Sequence, residues 1–279
     1  MKFSIITINY NNVEGLRKTI DSVVSQTFTD YEWIVIDGGS TDGSKELIEE
    51  YQHFFSYWCS ESDNGVYNAM NKGIVYTNGN YINFMNSGDV YASERTLQEV
   101  AKHHHDGDIL FGDWICVYET KEVQMTFPID MLQTEFTRRN ICHQAIFYKS
   151  YLLKLKGFDE SIAIWADYAR NVELSLSGAS FEYLPFVICR YDMNGISSSK
   201  DSLLIRKKNR ESINLLYPKG LLPLLLELDM YRNRRIVRYT LGIVDGKSKF
   251  LSIITKVYIK TTYMICSFFN ILKNEEKNG

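Results

Sequence analysis

The sequence predicts an α/β fold in which a mostly parallel central sheet is flanked by helices, and three observations predict it. Short apolar runs alternate with segments of helical periodicity through the first half of the chain, a spacing that implies parallel strands joined by helices. Several of those runs stop abruptly at an acid beside glycines and small hydroxyl residues, most clearly in YEWIVIDGGSTDGS at 31–44. The 279 residues, 45% hydrophobic and 23% charged, suffice for a sizeable core.

Taken in order, Phe3 to Ile8 reads as a strand, and the polar Asn9, Tyr10, Asn11 and Asn12 that follow leave its apolar run too short for a signal peptide. Val13 to Ser25 places Val13, Leu16, Ile20 and Val23/Val24 on one helical stripe. Glu32 to Ile36 is a second strand, and a helix follows from near Asp42 behind a Ser or Thr cap, running on through Ser44 to Tyr51. Phe54 to Cys59 reads as strand, Val66 to Val75 as helix and Tyr81 to Met85 as strand. From Ile109 to Thr126 the pattern turns β-rich, and after Lys200 it becomes helical, which divides the chain at 1–200 and 201–279.

Charge follows the same division. Residues 1–199 hold 15 basic against 27 acidic side chains, whereas residues 200–279 hold 16 against 7. An acidic body argues against nucleic acid as the main ligand, because duplex binding relies on Lys and Arg neutralising phosphate. It suits a protein that gathers a divalent cation. Five widely spaced cysteines without a CxxC indicate neither a disulfide framework nor a zinc site, and fit a reducing cytoplasm.

Ligands of parallel α/β sheets sit in the crevice beyond the carboxyl ends of the strands. Asp37 stands at such an end, Asp63 follows the next strand, Asp89 follows the strand after that, and Asp167 precedes a helix beginning near Tyr168. A turn with a helix cap explains the glycines near Asp37 but not the acid. Three acids on one sheet edge, joined by a fourth, point to a site.

These residues carry a resemblance to the family 2 glycosyltransferases, inverting enzymes of the GT-A nucleotide-sugar fold. The likeness lies in IITINYNN at 5–12, IVIDGGSTDGS at 34–44, SESDNGVYNAMNKGI at 60–74, FMNSGD at 84–89, HQAIF at 143–147 and GFDES at 157–161 followed by Asp167. It covers residues 3 to 190 and is most similar to bacterial members that assemble surface polysaccharides. The resemblance implies a hexosyl- or N-acetylhexosaminyltransferase using a UDP-sugar donor and a glycan or lipid-linked saccharide acceptor. By the same resemblance Thr7, Asn9, Asp37 and Asp63 surround the nucleoside, Asp89 holds Mg²⁺ or Mn²⁺ on the donor diphosphate, and Asp167 is the general base.

Two positions depart from that pattern. Asn86, Ser87 and Gly88 precede a single acid in the metal motif, and Ala166 stands where a second acid often precedes the base. A non-catalytic nucleotide-sugar or partner-binding module of the same fold is therefore the alternative. His143 is read as a diphosphate or acceptor contact or as a buried hydrogen-bonded histidine, Trp165 as an acceptor-stacking or a core residue, and Lys72 as a phosphate contact or a solvated helix charge. His103 to His105 read as a polar helix end, since consecutive helical positions point apart. The GxGxxG of a dehydrogenase and the glycine-rich basic loop of a sugar nucleotidyltransferase are absent.

In the basic tail, Phe250, Leu251, Ile254, Val257, Tyr258, Ile265, Phe268 and Phe269 form a helical stripe with lysines on other faces. Lysines within it argue against a spanning helix. With Arg232, Arg234, Arg235 and Arg238 nearby, an anionic membrane surface is the expected partner, and a helical cap or homo-oligomer contact the alternative. The expected location is cytoplasmic, peripheral at the inner face of the cytoplasmic membrane.

Overall fold

The computed structural model describes residues 2–103, 107–126 and 141–193, all within one compact unit bounded by Met1–Tyr217. The expected tail stripe and arginines lie outside the described residues. Strands β1 (Phe3–Asn9), β2 (Tyr31–Asp37), β3 (Tyr57–Ser60) and β4 (Tyr81–Phe84) alternate with helices α1 (Val13–Val24), α2 (Ser44–Tyr51) and α3 (Val66–Val75). They form the parallel half of one sheet in the order β3-β2-β1-β4. β1 and β2 are buried almost throughout, as a central parallel strand covered on both faces must be. Phe3, Ile5, Ile6, Trp33, Ile34 and Ile36 are fully buried, each worth roughly 1.5–3 kcal/mol of transfer free energy.

Beyond β4 the sheet becomes mixed. β5 (Val90–Tyr91), β6 (Ile109–Val117), β7 (Glu122–Met125), β8 (Ile146–Lys149) and β9 (Phe181–Asp192) extend it as β4-β8-β6-β9-β5, with β7 on β6. β8 runs antiparallel to β4 and β6, while β9 runs parallel to β6. The β6–β9 register slips beside Gly112, where β9 contains Pro185. Proline cannot donate to the ladder, and a Cβ on Gly112 would sit 2.8 Å from the Phe186 carbonyl, so the bulge needs both residues. Helices α4 (Thr96–Lys102), α5 (Ser150–Leu155) and α6 (Ala166–Leu176) complete the described elements.

Two expectations change in detail. The strand expected over Phe54 to Cys59 starts later, at Tyr57, because Gln52–Phe54 forms a short 3-10 turn. The cap of α2 is not a hydroxyl: Gly43 occupies it in the left-handed region, and Asp42 accepts the Ser44 N–H at 3.1 Å. The β-rich reading after Ile109 holds, but β8 and β9 carried no distinct periodic signal. At the end of α4, the His103 ring lies 5.4 Å from that of Phe186, and His104 and His105 lie outside the described residues. Among the described residues no helix is long and apolar enough to cross a membrane.

Candidate active site

The sheet order reverses between β1 and β4, and the loops leaving β1, β2 and β4 meet at that crevice. Asn12 Nδ2 donates to the Ser87 carbonyl at 3.2 Å, and Ser87 Oγ returns a bond to the Asn12 carbonyl at 3.1 Å. Asn11 N donates to Ser40 Oγ at 2.7 Å, which ties in the loop after β2.

Asp37 organises that second loop. Its Oδ1 accepts from Asn9 Nδ2 at 2.8 Å and Ser40 Oγ at 2.5 Å, and its Oδ2 from the Gly39 and Ser40 amides and from Ser60 Oγ at 2.6 Å. Burial raises the carboxyl, but hydrogen bonds led by those of Ser40 and Ser60 hold it below its ordinary value. Five donors fill the roughly four lone-pair sites of a carboxylate. Asp37 is also fully buried, and these bonds brace the Gly38–Ser40 turn. Asn9 shares that role. Thr7 is fully buried as well, its hydroxyl donating to the Met85 carbonyl at 2.9 Å and accepting the Trp33 indole N–H at 2.9 Å.

Asp63 is the acid of this pair of loops that faces outward. It is partly exposed, and only its Oδ1 is tied, by the Gly65 amide at 2.8 Å. Its Oδ2 lies over Gly38, where a Cβ would approach it to 2.8 Å and the Tyr10 ring to 3.1 Å. Tyr10 itself is 64% exposed. The bare Gly38 backbone, the Tyr10 ring and the Asp63 carboxylate thus share one niche. Lys72 Nζ bonds Glu61 at 2.9 Å and the Ser62 carbonyl at 3.2 Å.

Asp89 lies on the other side of the crevice. Thr19 Oγ1, on α1, donates to the carbonyls of Asn86 and Asp89 and accepts the Gly88 N–H, which fixes the NSGD turn. β5 pairs with β9 directly after this turn, so the Asp192 amide reaches Asp89 Oδ1 at 2.9 Å, and Gln144 Nε2 donates to Oδ2. Burial pushes the Asp89 carboxyl up to about 7, against the smaller lowering effect of those two donors. Among the described residues no group of three or more His, Cys, Asp or Glu is arranged to hold a metal ion. Each Asp89 oxygen accepts one N–H and so retains a second lone pair, and a cation would stabilise the ionised form that burial disfavours. This donor set fits a hard divalent ion that arrives with most of its ligands, on a diphosphate, better than one caged beforehand.

Asp167 is the second residue of α6, placed by Trp165, which caps the helix in the left-handed region at φ 75°. Its Oδ1 accepts from Tyr67 Oη at 2.9 Å, and its Oδ2 lies 2.8 Å from His143 Nδ1. Tyr67 Oη in turn accepts the Trp165 N–H at 3.0 Å, so the hydroxyl joins α3 to the turn before the acid. Burial raises the Asp167 carboxyl, but the His143 hydrogen bond, followed by that of Tyr67, holds it below its ordinary value, and the helix N-terminus favours the anion. His143 Nε2 lies 2.8 Å from Asn86 Nδ2. His143 is thereby a hydrogen-bond partner of Asp167, the hydrogen-bonded alternative of the sequence reading. Trp165 is half-buried, with its ring 6.1 Å from that of Tyr168 in an edge arrangement.

Tyr67, Gln144, Tyr10 and Asp192 carry parts of the site that residue-by-residue reading did not single out. Tyr10, Tyr67 and Gln144 stand inside the quoted segments 5–12, 60–74 and 143–147, and that membership is the signal that marks them. Asp192 carries no such signal.

Comparison with known proteins gives consistent results. Residues 4–166 match the family described as glycosyl transferase family 2. A PGL/p-HBAD biosynthesis glycosyltransferase of Mycobacterium bovis is 30% identical over 206 residues, covering 71% of this chain and 79% of that protein. An uncharacterized glycosyltransferase of Mycobacterium tuberculosis is 30% identical over 204 residues, covering 71% and 78%. S. aureus TarS 1-349 in complex with UDP superposes with a TM-score of 0.59 at 19% identity, over 69% of this chain and 60% of that one. The mannosyltransferase PcManGT of Pyrobaculum calidifontis, in complex with GDP-Man and Mn²⁺, superposes with a TM-score of 0.58 at 14% identity, over 94% and 80%. At these identities the two structures share the GT-A fold with this chain.

Proposed function

The chain belongs to glycosyl transferase family 2, and from that premise we propose that it moves a sugar from a UDP-sugar to a hydroxyl of a glycan or lipid-linked acceptor, with inversion, in cell-surface polysaccharide synthesis. The observation that carries this reading is the buried Asp167 carboxylate, aimed by His143 and Tyr67. A single base of this kind suits one displacement at the anomeric carbon. As the acceptor oxygen bonds to that carbon, its proton passes to Asp167, and the electron pair of the breaking carbon–oxygen bond leaves with the diphosphate. A uridine donor is supported by the fold shared with TarS, whose complexes hold UDP and UDP-GlcNAc, and the GDP-Man complex of PcManGT marks the competing donor class.

The nucleoside enters the niche of Tyr10, Gly38 and Asp63, where the ring gives a stacking surface and the free Asp63 oxygen accepts a ribose hydroxyl or imide N–H. Asp89 would hold Mg²⁺ or Mn²⁺ on the donor diphosphate, where the ion supplies charge neutralisation for the leaving group. The basic residues 200–279 are proposed to dock on anionic lipid, bringing the crevice to a lipid-linked acceptor. Liposome flotation unchanged by deletion of residues 247–279 would remove that part.

The test is nucleotide release in the presence of Mn²⁺ across a donor panel, with Asp167→Asn beside the wild type. Loss of the base is expected to lower turnover by about 10²-fold or more, and equal rates would remove Asp167 from that role. The alternative, a nucleotide-sugar-binding module without turnover, is favoured only by the single acid of the metal motif. Calorimetric donor binding with no nucleotide release for any donor would select it.

A further inference from the structure

One departure from the family pattern, Asn86, stands in a chain of hydrogen bonds that ends on Asp167. Asn86, the first polar residue of the NSGD turn, lies 2.8 Å through Nδ2 from His143 Nε2, and His143 Nδ1 lies 2.8 Å from Asp167 Oδ2. The other oxygen of Asp167 is taken by Tyr67 Oη. The bond order along this chain follows from donor and acceptor counting. A carboxamide nitrogen can only donate, so with Asn86 Nδ2 turned toward the ring, as here, Nε2 presents its lone pair and the imidazole proton sits on Nδ1. That proton meets a carboxylate, which can only accept. Asn86 Oδ1 is buried and accepts no hydrogen bond from the described residues.

We propose that Asn86 is a positioning residue for the base. Its side-chain N–H selects the Nδ1–H tautomer of His143, and that tautomer holds Asp167 ionised and aimed at the acceptor. The inference rests on the reading of Asp167 as the base and adds what sets its protonation. It also gives the missing acid of the metal motif a physical reason. A carboxylate at position 86 would accept from Nε2, draw a second proton onto the ring and place an imidazolium against Asp167. A carboxylate paired with a full cation is a weaker base. Asparagine at 86 avoids this, and because it begins the turn that ends in Asp89, the donor end and the base are set by the same loop. The other titratable groups facing this pair are Tyr67 from α3, Tyr148 from β8 and Asp89 from the turn after β4.

The test reads the ring directly. Two-bond ¹H–¹⁵N spectra of the full chain labelled at its histidines, with His143 assigned by its loss in His143→Asn, are expected at pH 7.5 to show Nδ1 protonated and Nε2 bare. A wild-type ring protonated on Nε2, alone or together with Nδ1, overturns the proposal and leaves the base reading untouched. Because this measurement needs only the wild type, it stands whether or not a variant folds. Asn86→Asp is expected to protonate both nitrogens and to lower turnover by at least about 10-fold, a part of the ~10²–10⁴-fold that a general base supplies. An Asn86→Asp enzyme as fast as the wild type, or faster, overturns it as well. Full turnover in Asp167→Asn with the expected tautomer intact would instead sink the base reading, and the positioning role with it.

Discussion

Removing the Tyr67 hydroxyl isolates the link between α3 and Asp167. In Tyr67→Phe the ring stays packed beside Phe158 while Asp167 Oδ1 loses its donor and the Trp165 N–H loses its acceptor. A hydrogen bond to a charged group contributes about 1.5–3 kcal/mol and one between neutral groups about 0.5–1.5 kcal/mol. The expected loss of stability is therefore about 2–4 kcal/mol. Urea denaturation at pH 7.5 measures it as a shift of midpoint at unchanged slope. A double-mutant cycle with Asp167→Asn separates the charged part. Asparagine still accepts, but as a neutral group, so the Tyr67→Phe penalty should shrink by about 1–2 kcal/mol in that background, the difference between a charged and a neutral bond. The kinetic sign follows from linkage. The Asp167 carboxyl is held low partly by Tyr67, so losing the hydroxyl raises it and moves the acid limb of the turnover profile to higher pH. A penalty below about 0.5 kcal/mol, or one that is equal in both backgrounds with the acid limb unmoved, would refute the coupling.

Asp89→Asn should change the sign of its effect with pH. In metal-free buffer the buried carboxyl, pushed up from 3.8 to about 7, destabilises the wild type as pH rises through that window, by about 4 kcal/mol at 1.4 kcal/mol per unit. The amide escapes this but faces the Gln144 donor, a mismatch of about 1–3 kcal/mol, so the variant should be the less stable protein near pH 4 and the more stable one near pH 8. Denaturant midpoints at both values check it, and a pH-independent difference would contradict it. Gly38→Ala should leave stability within about 1 kcal/mol, because the atom its Cβ meets is the end of a partly exposed Asp63 side chain, yet weaken nucleotide binding by displacing that carboxylate; calorimetry with UDP decides. His143→Asn places an amide N–H near the position of Nδ1 and should retain more turnover than His143→Leu, which leaves Asp167 one donor short. Equal rates for the two would show that His143 does not act through that bond.

The parallel half of the fold was legible because its signals are local. The mainly apolar runs of β1, β2 and β4, buried on both faces, and the period of about 3.6 in α1 and α3 follow from which faces each element buries. β8 and β9 were not legible. β8 is a four-residue strand, and β9 is interrupted by Pro185 and a bulge, so neither shows a clean alternation. In the site, the positions of Asp63, Asp89 and Asp167 could be read from their places at strand ends and at a helix start. The direction each carboxylate faces could not. Asp37 and Asp63 follow neighbouring strands, yet one is saturated by Asn9, Ser40 and Ser60 while the other keeps an oxygen open.

By itself, then, the sequence determined the layered α/β architecture, the edge on which the acids gather and the family to which their order belongs, since periodicity and strand-end chemistry are properties of contiguous residues. The tertiary structure alone decided that Thr7 faces the core, that Asp37 braces a loop and that Asn86, His143, Asp167 and Tyr67 form one chain. Those bonds join residues 57, 24 and 100 positions apart. Such pairings depend on strand register, helix entry angles and loop closure, which set side-chain directions to within an ångström, and no local pattern encodes them.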